Sequence, residues 1–108
     1  MPKGEFLGEF ELYVLAAVEQ LGDEAYSVPV RQEIERRARR ETSIGAVYVT
    51  VERLALKGYL TFRISDPEPV PGGRSRKYIK VTGAGRRAMR ESVLALHRMI
   101  DGLGVVKG

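Results

Sequence analysis

The hydrophobic positions along this chain keep a helical period as far as Gly58, alternate over two short runs, and then return to a helical period. Phe10, Tyr13, Val14, Ala17, Val18 and Leu21 step by three, one, three, one and three, which predicts a first helix between Phe6 and Leu21 that Gly22 stops. Ser27 precedes Pro29, a proline tolerated in an opening turn. Val30, Ile34 and Ala38 then keep a four-residue spacing, so a second helix is expected to run to about Arg40. After a tight turn of Glu41, Thr42 and Ser43, the apolar stripe Ile44, Val47, Tyr48, Val51 and Leu54 predicts a third helix. Thr42 or Ser43 can cap it and Gly58 ends it.

Past Gly58 the period falls to two. Leu60, Phe62 and Ile64 alternate with Tyr59, Thr61 and Arg63, and Ile79 and Val81 alternate with Tyr78 and Lys80. Between these strands DPEPVPGGRS holds three prolines and a Gly-Gly pair, which no strand interior tolerates, so a hairpin with a long tip is expected. Thr82 caps a last helix in which Met89, Val93, Leu96, Ile100 and Leu103 are spaced four, three, four and three. That narrow seam suits pairing with a copy of itself, while another face of the same helix can pack on the first helix. The expected fold is α+β, mostly α: a winged helix-turn-helix over 1–82, with a C-terminal dimerisation helix and short tail over 83–108, in one compact unit.

The third helix sets the functional question, because the face away from its apolar stripe is small or polar. A helix that enters a major groove about 12 Å wide needs such a face. Ser43, Gly45, Ala46, Val49, Thr50 and Arg53 form it. Ser43, Ala46, Val49 and Thr50 are expected to meet base edges, with Ala46 and Val49 suited to thymine methyl groups. Arg53, with Arg74, Arg76 and Lys77 of the hairpin, is expected to neutralise phosphates or enter the minor groove.

Charge supports a polyanionic partner by its distribution more than by its sum, a net +4. Residues 1–30 hold Lys3 against six acids, whereas residues 74–90 hold seven bases and no acid; a second basic block, RQEIERRARR, carries five arginines. Either block taken alone can also be a solvated helix face. Other chemistries find little footing. Without cysteine there are no disulfides, thiolate nucleophiles or Cys-type zinc sites, and His97 is the sole histidine. Asp66 and Glu68 flank prolines and read as turn residues, and the glycines of PGGRS and TGAGRR lack the spacing of a nucleotide loop. No catalytic residue, metal or cofactor is expected. Nothing resembles a signal peptide or a membrane span, which points to the cytoplasm.

SIGAVYVTVERLALKGYL resembles the recognition-helix signature of the PadR family of transcriptional regulators, and GGRSRKYIKVTGAG resembles that family's wing motif. The resemblance runs from LGEFELYVLAAV through Gly85, with both motifs in order. It aligns Tyr48, Arg53 and Leu54 with the family's tyrosine and Arg-Leu pair, and Gly73, Arg74, Arg76, Lys77, Tyr78, Thr82 and Gly85 with the wing and its exit. Ile79 stands where the family often has a second aromatic. The resemblance implies a cytoplasmic, bacterial, homodimeric repressor of the short branch, whose C-terminal helix dimerises and whose DNA-binding residues include Tyr48. Some relatives hold flat aromatic compounds at the dimer interface. This chain has no tryptophan to stack on, and Phe6, Phe10 and Tyr13 read as core, so a small-molecule effector is not indicated. The alternative is a winged-helix module that binds a protein instead of DNA, against which the acid-free hairpin speaks. An enzyme would need a nucleophile and base that the chain does not offer.

Overall fold

The computed structural model describes residues 6–66, 71–72 and 75–105; Glu68, Gly73 and Arg74 lie outside the described residues. The chain runs α1 (Glu9–Leu21), a short 3-10 turn (Gly22–Glu24), α2 (Ser27–Ala38), α3 (Ile44–Leu56), β1 (Leu60–Ile64), β2 (Lys77–Val81) and α4 (Gly83–Ile100). This is the predicted order, and local chemistry sets its borders. The Ser43 hydroxyl accepts from the Ala46 N–H at 3.0 Å and starts α3. At the other end Gly58 takes a φ of 82°, its N–H reaches the Ala55 carbonyl, and the Tyr59 N–H reaches the Leu54 carbonyl. That Schellman cap needs a left-handed residue, which glycine supplies without strain. The Thr82 hydroxyl opens α4 by accepting from the Gly85 N–H at 3.0 Å.

Three borders differ from expectation. α1 begins at Glu9 because the Glu11 carboxylate accepts from the Gly8 N–H at 2.9 Å and fixes the first turn there. Phe6 is consequently 61% exposed and no part of the core, while Leu7 is buried and donates its N–H to Ser92 Oγ of α4. α2 ends at Ala38, since Arg39 turns left-handed with φ 54°, and the Glu35 carboxylate closes the turn to α3 by accepting from the Thr42 N–H. α4 ends at Ile100, where Asp101 leaves helical geometry (ψ 134°) and Gly102 adopts φ 86°. Leu103 therefore stands in the turn after the helix and does not extend its seam.

Val14, Leu15 and Val18 of α1, Val30 and Ile34 of α2, Val47, Val51 and Leu54 of α3, and Leu60, Ile79 and Val81 of the hairpin form one core. Leu15 is fully buried although it falls outside the predicted stripe, because α1 packs against α2, α3, β2 and α4. In the antiparallel hairpin Leu60 faces Val81 and Phe62 faces Ile79. The Ile79 N–H also donates to the Ala25 carbonyl at 2.8 Å, which ties the hairpin to the chain before α2. An aliphatic residue at 79 is thus a buried core residue. Ile64, opposite Lys77, is exposed. α4 lays Gly85, Ala88 and Ser92 against its own chain with Met89 partly buried beside them, and leaves Val93, Leu94, Leu96 and Met99 exposed.

Folding resolves much of the charge segregation. The acids of α1 reach three other parts of the chain: Glu9 pairs with Arg40, Glu11 with Lys57 at 3.1 Å, and Glu19 with Arg86 at 3.0 Å. Within α2, Glu33 holds Arg36 and Arg37, and Glu35 holds Arg31. Arg31, Arg36 and Arg37 of the arginine block are therefore tied into ion pairs along the surface of α2, and Arg40 is tied to α1. Burial pushes the Glu11 carboxyl up, but the Gly8 N–H, the Lys57 ammonium and Arg53 outweigh it and hold the group below its ordinary value of 4.5. A carboxyl depressed in the folded state adds stability above its unfolded pKa and loses it as pH falls through the folded one. Glu11→Gln is accordingly expected to lower the urea midpoint at neutral pH, with the gap to wild type closing below about pH 4.

Candidate nucleic-acid interface

The buried side of α3 is a row of Val47, Thr50, Val51 and Leu54, so the opposite side faces solvent. Gly45 is exposed there, as are Tyr48 at 53%, Val49 at 58%, Glu52, Arg53 and Leu56; Ala46 is half-buried at the edge. Thr50 does not belong to this surface. It lies three residues after Val47 and four before Leu54, within the row that packs on α1 and α2, and its side chain cannot reach a base edge from there. Ser43 is exposed, but its oxygen caps α3.

The hairpin base stands beside this face. The Lys77 ammonium sits 3.9 Å from the centre of the Phe62 ring and 4.0 Å from the Glu52 carboxylate, which links β2 to α3. Arg76 lies over the Tyr26 ring at 4.7 Å, Tyr26 meets Tyr78 edge to face at 5.7 Å, and Arg63 lies over Tyr78 at 4.5 Å. Each cation–ring contact contributes about 0.5 to 1 kcal/mol at an exposed site, enough to bias long side chains toward one position. An open cleft runs between these groups, lined by Tyr26 and Val28 of the α2 region, Tyr48 and Glu52 of α3, and Phe62 and Lys77 of the hairpin. The structure thus brings Tyr48 and Glu52 of α3 beside Arg76 and Lys77 of the hairpin, with Gly45, Ala46, Val49 and Arg53 further round the solvent side of α3.

Residues 14–91 match the family described as the transcriptional regulator PadR-like family. The chain belongs to the PadR-like family. It is a transcriptional regulator with a winged helix-turn-helix fold, and not an enzyme. A search of the curated proteins finds no match. Among solved structures, the fold is similar to a PadR family transcriptional regulator from Eggerthella lenta DSM 2243, at 25% identity over 88% of this chain and 84% of that one, TM-score 0.67. It is similar to a PadR family transcription regulator from Clostridium difficile R20291, at 21% identity over 89% and 94%, TM-score 0.70. It also resembles a winged-helix DNA-binding protein from STIV, at 17% identity over 91% and 98%, TM-score 0.66. Among the described residues no helix is long and apolar enough to cross a membrane.

Sequence reasoning missed four residues of this PadR-like surface. Glu52 and Leu56 continue the exposed row from Gly45 and Val49 at steps of four, three and four, a periodicity that was readable. Tyr26 and Arg63 were not readable, because only the fold brings them against the hairpin.

Proposed function

We propose that this protein is a homodimeric repressor that binds a pseudo-palindromic operator, with α3 in the major groove and the hairpin against the flanking backbone. The observation that carries the reading is the convergence of an exposed, largely uncharged α3 face with the cationic hairpin base on one side of the molecule. In this reading Tyr48, Val49 and Ala46 meet base edges, with Gly45 allowing close approach, and Arg53, Arg76 and Lys77 meet phosphates. The exposed Val93, Leu96 and Met99 of α4, next to Ile100, provide the surface for a second copy. A two-fold dimer then implies half-sites about 34 to 36 Å apart, or a multiple of that. Footprinting on a duplex enriched from a random pool tests this: two symmetric protected half-sites are expected, and a single unpaired one would contradict it.

The hairpin has a separable role. Long cations meet phosphates irrespective of sequence, and each phosphate they neutralise frees the counterions condensed on it. Lys77→Ala is therefore expected to shallow the slope of log affinity against log salt by about 1 per subunit while leaving the ratio of operator to scrambled-duplex affinity nearly unchanged. Titrations of both duplexes at several salt concentrations check it.

A further inference from the structure

The exposed side of α3 carries one acid, Glu52, and its neighbours one turn away on that side are Tyr48, Val49 and Leu56, all exposed. Glu52 thus stands within the face, not at its rim. A carboxylate has only acceptors, and so do the phosphates, the guanine edge (N7 and O6) and thymine O4, all of which repel it. The donors in a major groove are the amino groups of cytosine and adenine. Adenine pairs its amino group with the N7 acceptor, whereas cytosine offers the donor alone, so a carboxylate suits cytosine N4 best.

The surroundings of Glu52 fit such a role. Its side chain is 64% exposed, and Lys77 approaches its carboxylate only to 4.0 Å while resting on Phe62. That loose pair leaves lone pairs open toward the groove and sets a positive charge between the carboxylate and the hairpin side, where the backbone of the duplex would lie. We propose that Glu52 is a specificity-determining residue that accepts a hydrogen bond from a cytosine amino group in each operator half-site, with Lys77 offsetting its repulsion from the phosphates. The inference rests on the DNA-binding reading above. It makes Glu52 a discriminator in both directions: it rewards one base and penalises DNA that presents acceptors or phosphates in its place.

Selection from a random duplex pool, run in parallel with wild type, Glu52→Ala and Lys77→Ala, tests it. Wild type is expected to enrich a palindrome with cytosine at one fixed position of each half-site. Glu52→Ala should lose the preference at that position alone, bind scrambled duplex at least as tightly as wild type, and show an operator-to-scrambled ratio reduced roughly 10- to 100-fold. Lys77→Ala should keep the cytosine. If Glu52→Ala retains every base preference of wild type, or if Lys77→Ala loses the same position, the proposal is overturned and Glu52 serves only to hold Lys77. A wild-type protein that enriches no sequence overturns the DNA-binding reading as well, so the two failures are distinguishable.

Discussion

Leu96→Glu is expected to abolish the proposed dimer, leaving a monomer, and to weaken operator binding by two or more orders of magnitude. Val93, Leu94, Leu96 and Met99 are 39%, 48%, 55% and 78% exposed along the outer side of α4, whose inner side is occupied by Gly85, Ala88 and Ser92. Burying a leucine of this kind contributes about 1.5 to 3 kcal/mol, and a two-fold interface counts each residue twice. A glutamate in its place loses that burial and puts two like charges near the axis, each costing several kcal/mol unless it reaches water. The dimer constant should therefore rise by about three orders of magnitude or more, at about 1.4 kcal/mol per factor of ten. A monomer holds one half-site, which is why operator affinity falls with it. Light scattering at tens of micromolar gives the mass, and far-UV circular dichroism checks that α4 remains helical. Wild type that is monomeric under those conditions, or a dimeric Leu96→Glu, would show that the outer face of α4 is not the interface.

The seam behind this prediction shows where linear patterns serve and where they stop. Val93 and Leu96 were readable as outward residues because a four-three spacing narrower than a core stripe implies a partner. Leu103 was not: continuing the spacing assumes the helix continues, and the backbone breaks at Asp101 and Gly102. Met89 keeps the spacing yet packs partly against its own core, since the first turns of α4 are still beside α1 and β2. Thr50 failed for a different reason. Its polarity suggested an outward face, but its position, three from Val47 and four from Leu54, lies in the buried row, and on a helix position decides over residue type.

Charge was the least legible property. Glu9 and Arg40 are 31 residues apart and Glu19 and Arg86 are 67 apart, so no local window shows that they pair. The acidic start of the chain is the counterpart of its own basic segments. These pairs leave a smaller positive surface for a polyanion than the sequence suggests. The caps, by contrast, were legible because they are local: Ser43, Gly58 and Thr82 each act within a few residues through one hydroxyl or one positive φ.

Gly85, which entered only by resemblance, has a physical reason in the structure, and Gly85→Ala is expected to destabilise the fold by about 2 kcal/mol. A Cβ there would lie 2.3 Å from the Tyr59 carbonyl oxygen, with the Tyr59 carbonyl carbon and Val81 Cγ1 each at 3.0 Å. The obstacle is backbone, so no side-chain rotation relieves it. That same oxygen accepts from the Thr82 N–H at 3.0 Å, and the Thr82 hydroxyl donates to the Gly58 carbonyl at 2.7 Å, so the end of α3, the start of β1 and the start of α4 meet at one point. Overpacking of this kind costs about 1 to 3 kcal/mol and occasionally more, offset by about 1 kcal/mol of helix propensity gained over glycine. Because the displaced carbonyl also loses a hydrogen bond, the upper part of that range applies, and the midpoint of thermal unfolding should drop by roughly 8 to 16 °C. Gly83→Ala is the control. On the same helix, its Cβ would meet only Arg87 Nη1, at 3.7 Å, so its melting temperature should stay at or slightly above that of wild type. Calorimetry on the three proteins decides the matter, and a Gly85→Ala that melts with wild type would mean that α4 does not approach Tyr59 this closely.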